Sequence, residues 1–115
     1  MDKVVLVAFN GEMMCFVHVL LNALDMDAKG MEARIVFEGT ATKLVAELAK
    51  EGNAFRKLYL ECRDKGLLAG ACRACSAKTG SLESVQAEGL PLLDDMNGHP
   101  SLAAYMRSGF TVLTF

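Results

Sequence analysis

The run Lys3-Val-Val-Leu-Val-Ala-Phe9 constrains this chain more than any other stretch. It is β-branched or otherwise apolar at every position after Lys3 and has no polar alternation, so a strand made from it is apolar on both faces. Such a strand needs cover on each side, and the architecture that provides it is a parallel sheet between helices. Four further segments fit as its partners. Glu32-Ala-Arg-Ile-Val-Phe37 reads as a second strand and Leu67–Ala71 as a third. Leu90-Pro-Leu-Leu93 is a weak strand whose proline, lacking an amide donor, belongs at a strand start or on an edge. Phe110–Phe115 is expected to be a final buried strand.

The segments between them carry helical signals. Asn10-Gly11 ends the first strand, and Glu12 stands where a carboxylate favours a helix start. The helix after it runs through Lys29 and is closed by Gly30. Its polar positions form a narrow stripe at His18, Asn22, Asp25 and Lys29. One sheet face cannot cover the remaining apolar surface, because an ordinary surface helix shows a stripe of about 100° or somewhat more. Together with a hydrophobic content of 52%, this predicts that the leftover face is buried between subunits.

After the second strand, Gly39-Thr40 leads into a helix with Ala41, Leu44, Val45, Leu48 and Ala49 on one face. Asn53 caps another helix that presents Phe55, Leu58, Tyr59 and Cys62 and stops at Gly66. A short helix is expected over 81–88, ended by Gly89, and one more from Pro100 to Arg107. The order β-α-β-α-α-β-α-β-α-β predicts one α/β domain over residues 1–115, with a five-stranded parallel sheet and helices on both faces.

Charge removes several functions. Twelve basic and fourteen acidic residues give a net charge of −2, and no basic block forms a phosphate footprint, so nucleic acid is not an expected partner. The apolar stretch Met13–Leu24 is interrupted by His18 and Asn22 and is too short to span a bilayer, so no membrane association is expected. No targeting segment is visible, which leads to an expected cytoplasmic location. There, four cysteines serve as free, catalytic or metal-bound thiols rather than as a disulfide framework.

The chemistry is expected at 67–80, Leu-Leu-Ala-Gly-Ala-Cys-Arg-Ala-Cys-Ser-Ala-Lys-Thr-Gly. A buried strand delivers Cys72 to its carboxyl end, where open α/β sheets place reactive groups, and a helix begins at about Cys75. A helix start and nearby cations, Arg73 and Lys78, favour thiolate. Lowering a thiol pKa from about 8.5 to about 7 raises the ionised fraction at neutral pH from roughly 3% to about half. Cys72 is therefore the expected nucleophile with Cys75 beside it, whereas Cys15 and Cys62 read as small buried hydrophobes.

Asn10, Gly11, Glu12 and Arg73 are the expected binding residues around the same crevice. The loop Asn10–Glu12 is not a phosphate cradle, having one glycine and an adjacent carboxylate. Turn and cap positions account for Asp94, Asp95 and His99, and packing accounts for Met13 and Met14. Three uses of the cysteine pair stay open on the residues alone. One is a CxxC redox protein, although the usual aromatic and proline surroundings are missing. Another is a metal-binding or interaction module, with Cys15-x-x-His18 and Cys72-x-x-Cys75 as a tetrahedral set. His18 heads a polar stripe, however, and neither a metal nor any other cofactor is expected. The third is a cysteine that carries sulfane sulfur as a persulfide.

The apolar start near residue 3, the over-apolar first helix, the third strand ending Gly-Ala-Cys-Arg-Ala-Cys-Ser-Ala-Lys-Thr-Gly80 and the closing Gly-Phe-Thr-Val-Leu-Thr-Phe115 together resemble the DsrE/DsrF-like (YchN-like) family. Cys72 and Gly80 match that family's strand-end cysteine and following glycine. The resemblance implies a small parallel α/β fold of the flavodoxin-like or YchN-like kind, assembled as a homotrimer or homohexamer. It also implies a sulfur carrier or sulfurtransferase of a sulfur relay, with persulfide on Cys72 and with sulfur donor and acceptor proteins as partners. It gives Cys75 no fixed role.

Overall fold

The structure, a computed structural model, describes residues 2–115. Five strands, β1 (Lys3–Ala8), β2 (Glu32–Phe37), β3 (Leu68–Cys72), β4 (Leu92–Leu93) and β5 (Phe110–Thr114), form one sheet in the order β4-β3-β2-β1-β5. All pairings are parallel. The sequence expectation of a five-stranded parallel α/β sheet holds.

The two faces are covered unequally. Val4, Leu6 and Ala8 of β1 point into the larger core with Ala33, Ile35 and Phe37 of β2. That core is closed by α1 (Met13–Ala28), α2 (Leu44–Leu48), α3 (Arg56–Asp64) and α5 (Leu82–Ala87). Val5, Val7 and Val36 face the other way, against Leu102 and Tyr105 of α6 (Leu102–Arg107). Connection handedness explains the split. The crossovers from β1 to β4 all step one way along the sheet, so right-handed connections put their helices on one face. The return from β4 to β5 steps back, so α6 lands on the opposite face.

Three elements differ from the sequence reading. After β3 come α4 (Arg73–Lys78) and the expected short helix α5, with Gly80 at a left-handed φ of 74° between them. Helix α4 begins directly after Cys72 rather than near Cys75. The segment before α2 is a 3-10 turn over Gly39–Lys43. Finally, β5 is not a buried strand: it pairs only with β1 and leaves Thr111, Leu113 and Thr114 exposed. An edge strand covered by a single helix has no second neighbour to seal it. On α1, Phe16, Val17, Val19, Leu20 and Ala23 are buried while Met14 and Leu21 stay exposed. Among the described residues, no helix is long and apolar enough to cross a membrane.

The β2–β3 pairing contains one irregularity, and it decides where the end of β3 points. Ile35 pairs with Leu68 but Val36 pairs with Gly70, so β3 carries one extra residue there. A one-residue offset exchanges the faces of every later side chain. Leu68 and Ala71 accordingly both face the larger core, with Ala69 on the other side. Gly70 takes φ 147°, and a Cβ there would overlap the Pro91 carbonyl oxygen, which accepts the Ala71 amide at 2.9 Å. Gly70→Ala is therefore expected to lower unfolding stability by about 1–3 kcal/mol. Denaturant unfolding measures this, and an unchanged midpoint would refute the packing argument.

Candidate functional site

Parallel pairing sets the carboxyl ends of β2 and β3 side by side, with Phe37 opposite Ala71. The next residues, Glu38 and Cys72, therefore emerge as neighbours. Cys72 is the last residue of β3 and the cap of α4; its sulfur accepts the Cys75 amide at 3.3 Å. Cys75, in the first turn of α4, is half-buried, whereas Cys72 has no exposed surface. The third contribution comes from the connection between β4 and α6, which crosses the strand ends on its way to the far face. Within it, Asn97 (φ 52°) and Gly98 (φ 84°) make a turn, and Met96 and His99 exchange backbone hydrogen bonds. The Gly98 carbonyl accepts the Ala74 amide at 2.8 Å, tying this turn to α4.

The result is a compact cluster. His99 Nδ1 lies 3.1 Å from Cys72 Sγ, 3.8 Å from Cys75 Sγ and 3.5 Å from Glu38 Oε1. Thr79 Oγ1 stands 2.7 Å from Thr42 Oγ1 and 2.8 Å from Ser81 Oγ, and donates to the Cys75 carbonyl at 3.0 Å. It thus clamps α4 to the 3-10 turn after Glu38. Beside the cluster is an open cavity of about 420 Å³ lined by Cys75, His99, Gly39, Thr40, Lys78 and Thr79.

Burial decides the protonation of the buried members. Desolvation pushes the Cys72 thiol up to about 12, with neighbouring Cys75 and Glu38 adding to the rise and the Cys75 amide opposing it. Desolvation likewise raises the Glu38 carboxyl, against the pull of His99. Without another positive group, Cys72 is a neutral thiol at pH 7. The expectation of a crevice-facing thiolate at position 72 is thus not met: loss of solvent outweighs one amide donor.

The other sequence candidates take different places. Arg73 reaches Asp94 at 3.2 Å on the surface, with 61% and 49% of the two side chains exposed, and does not face the sulfurs. Asn10 Oδ1 accepts the Glu12 amide at 2.9 Å, and Glu12 accepts the Met14 amide at 3.3 Å as the cap of α1. Gly11 donates to Thr40 Oγ1 at 2.9 Å, and a Cβ on it would press on the Thr40 carbonyl. This loop therefore braces the cavity wall from behind. Cys62 is buried, its thiol pushed up to about 12 by desolvation. Cys15 is exposed rather than packed, and neither it nor the exposed His18 joins the cluster. Asp95 accepts the Ser101 amide at 3.0 Å, a loop role.

Glu38 is the cluster residue that sequence reasoning missed, and His99 is the one it set aside as a turn or cap residue. The available signal for Glu38 was a carboxylate placed immediately after a buried strand. For His99 it was an Asn-Gly turn followed by His-Pro in the connection that must cross the strand ends.

No protein-family model matches the chain. The uncharacterized protein MJ0733 of Methanocaldococcus jannaschii is 28% identical over 96 residues, 84% of this chain and 76% of that protein. The structure of BT1422 from Bacteroides thetaiotaomicron, a conserved protein of unknown function, is similar with a TM-score of 0.74 over 99% of this chain and 95% of that one. At 20% identity, this is a likeness of fold. An uncharacterized protein of Archaeoglobus fulgidus is 33% identical over 57 residues, half of this chain and 92% of that protein. The chain belongs to the family of that archaeal protein.

Proposed function

We propose that this is a sulfur-relay protein of the DsrE-like kind, whose paired thiols take up sulfane sulfur from a persulfide donor and pass it on. The observation that carries this reading is the pair itself: one thiol lines a cavity, the other lies buried behind it, and one imidazole nitrogen stands between them. Burial makes Cys75 the entry point and Cys72 the second thiol, in place of the persulfide on Cys72 that the residues alone suggest.

Each step is a balanced displacement at sulfur. Cys75 attacks the outer sulfur of a donor R–S–SH; the donor S–S bond breaks, a Cys75–S–SH bond forms, and R–SH leaves with the proton that Cys75 gave up. Transfer to an acceptor thiol repeats this step. When no acceptor is present, Cys72 attacks the inner sulfur of the persulfide, giving a Cys72–Cys75 disulfide and hydrogen sulfide. Lys78, on the cavity wall, offers a cation to an anionic donor terminus.

Three measurements test the reading. In the native protein, Cys15 and Cys75 are expected to be alkylated first, Cys72 only when the His99 turn opens, and Cys62 only on unfolding; peptide mapping after a short pulse reads this order. In a Cys15→Ser/Cys72→Ser background, where the persulfide cannot be resolved to a disulfide, polysulfide should add about 32 Da to the intact mass. Cys75→Ser in that background should gain nothing, and restoring Cys72 should replace the gain with a Cys72–Cys75 disulfide and released sulfide. Equal gain with and without Cys75 would sink the proposal. The exposed Met14 and Leu21 of α1 belong to the same reading as subunit contacts. Light scattering should then show a trimer or hexamer, and a monomer at micromolar concentration contradicts it.

A further inference from the structure

We propose that Glu38, Cys72, Cys75 and His99 also form a binding site for one thiophilic divalent cation of the zinc class, in tetrahedral coordination by two sulfurs, one nitrogen and one oxygen. This goes beyond the sulfur reading and does not depend on it. It differs as well from the set Cys15, His18, Cys72 and Cys75, which the fold does not assemble.

The distances carry the inference. Zinc bonds of 2.0–2.3 Å place neighbouring donors of a regular tetrahedron about 3.3–3.8 Å apart. From His99 Nδ1 the three partners stand at 3.1, 3.8 and 3.5 Å. All four donor atoms lie within 4.8 Å of one another.

Hydrogen bonding accounts for only part of this arrangement: Cys72 Sγ accepts the Cys75 amide and lies 3.8 Å from the Gly98 carbonyl, and neither contact uses His99 Nδ1. A ring nitrogen carries either one proton or one lone pair in the ring plane, so it serves one partner. Here three groups lie within 3.8 Å of the same nitrogen. A buried carboxyl and a buried thiol complete the cluster, and groups of this kind are stabilised as anions in the interior by a positive centre. A cation among the four satisfies every member at once.

Donor type sets the metal class. Two thiolates and an imidazole favour zinc-like ions over magnesium or calcium, which prefer all-oxygen shells. Four protein ligands close the coordination sphere, as in structural rather than catalytic zinc sites. The ligands are also held in advance. Glu38 follows β2, the two cysteines flank the start of α4, and the His99 turn is fixed to α4 through Gly98 and Ala74. The cation and sulfane sulfur use the same electron pairs of Cys75, so loading with one excludes the other.

Cobalt(II) is the probe, added to the full-length protein after chelator treatment and reduction. The expected result is one cobalt per chain, with the intense visible bands of a tetrahedral ion, a near-ultraviolet thiolate-to-cobalt band, and displacement of both by zinc. Glu38→Gln and His99→Ala should each weaken binding by at least about tenfold, and Cys15→Ser should leave the spectrum unchanged. A wild-type spectrum without the thiolate band, or equal uptake by wild type and His99→Ala, overturns the proposal. The wild-type spectrum decides even where a variant fails to fold. The sulfur reading fails on a separate readout, the mass gain at Cys75, so cobalt binding without sulfur uptake retains this site and removes that function.

Discussion

The register of β3 against β2 is the constraint on which the site depends. Continued from the Ile35–Leu68 pair without an offset, the ladder would set Phe37 against Gly70 and Glu38 against Ala71. The single extra residue at Ala69–Gly70 moves Cys72 level with Glu38 and reverses the face on which it emerges. A glycine at position 70 lets Pro91 approach closely enough to hold Ala71 by a backbone hydrogen bond. The fold thus spends one irregularity in an otherwise regular sheet on aiming one sulfur.

The cluster then shows which of two opposed electrostatic effects prevails. A helix start and one amide donor favour an anionic sulfur, whereas enclosure by protein and a carboxylate neighbour disfavour it. At Cys72 enclosure wins, because solvation is lost from every direction while the amide restores one contact. Cys75 has the same neighbours but keeps a face on the cavity. Two cysteines separated by two residues therefore differ through position. One belongs to the strand end and is sealed by the His99 turn; the other belongs to the helix and looks outward.

Most of the sheet was legible in the sequence because its strands are short, apolar and separated by glycine or proline signals. Lys3–Ala8 and Glu32–Phe37 read as they fold, and the weak strand with Pro91 sits at an edge as its missing donor requires. What could not be read was tertiary. Cys15 resembles Cys62 in its apolar company, yet α1 turns one toward solvent and α3 buries the other. The position of the cysteine pair at a strand end was legible because it follows from local pattern. Its partners were not, because Glu38 lies 34 residues before Cys72 and His99 lies 27 after it. No local pattern reports on a meeting that only the sheet order creates.

That same separation makes the cluster a late and conditional feature of the fold. The pair Glu38 and Cys72 is secured by β2 and β3, the central ladder of the larger core. His99 depends on a two-residue strand, a turn with two left-handed residues, and the Gly98–Ala74 bond. Segments with few buried apolar contacts open at lower free energy than core strands. The turn between β4 and α6 can therefore lift while the sheet persists, exposing Cys72 and separating the imidazole from both sulfurs. Access to the buried thiol is therefore governed by this turn rather than by the core.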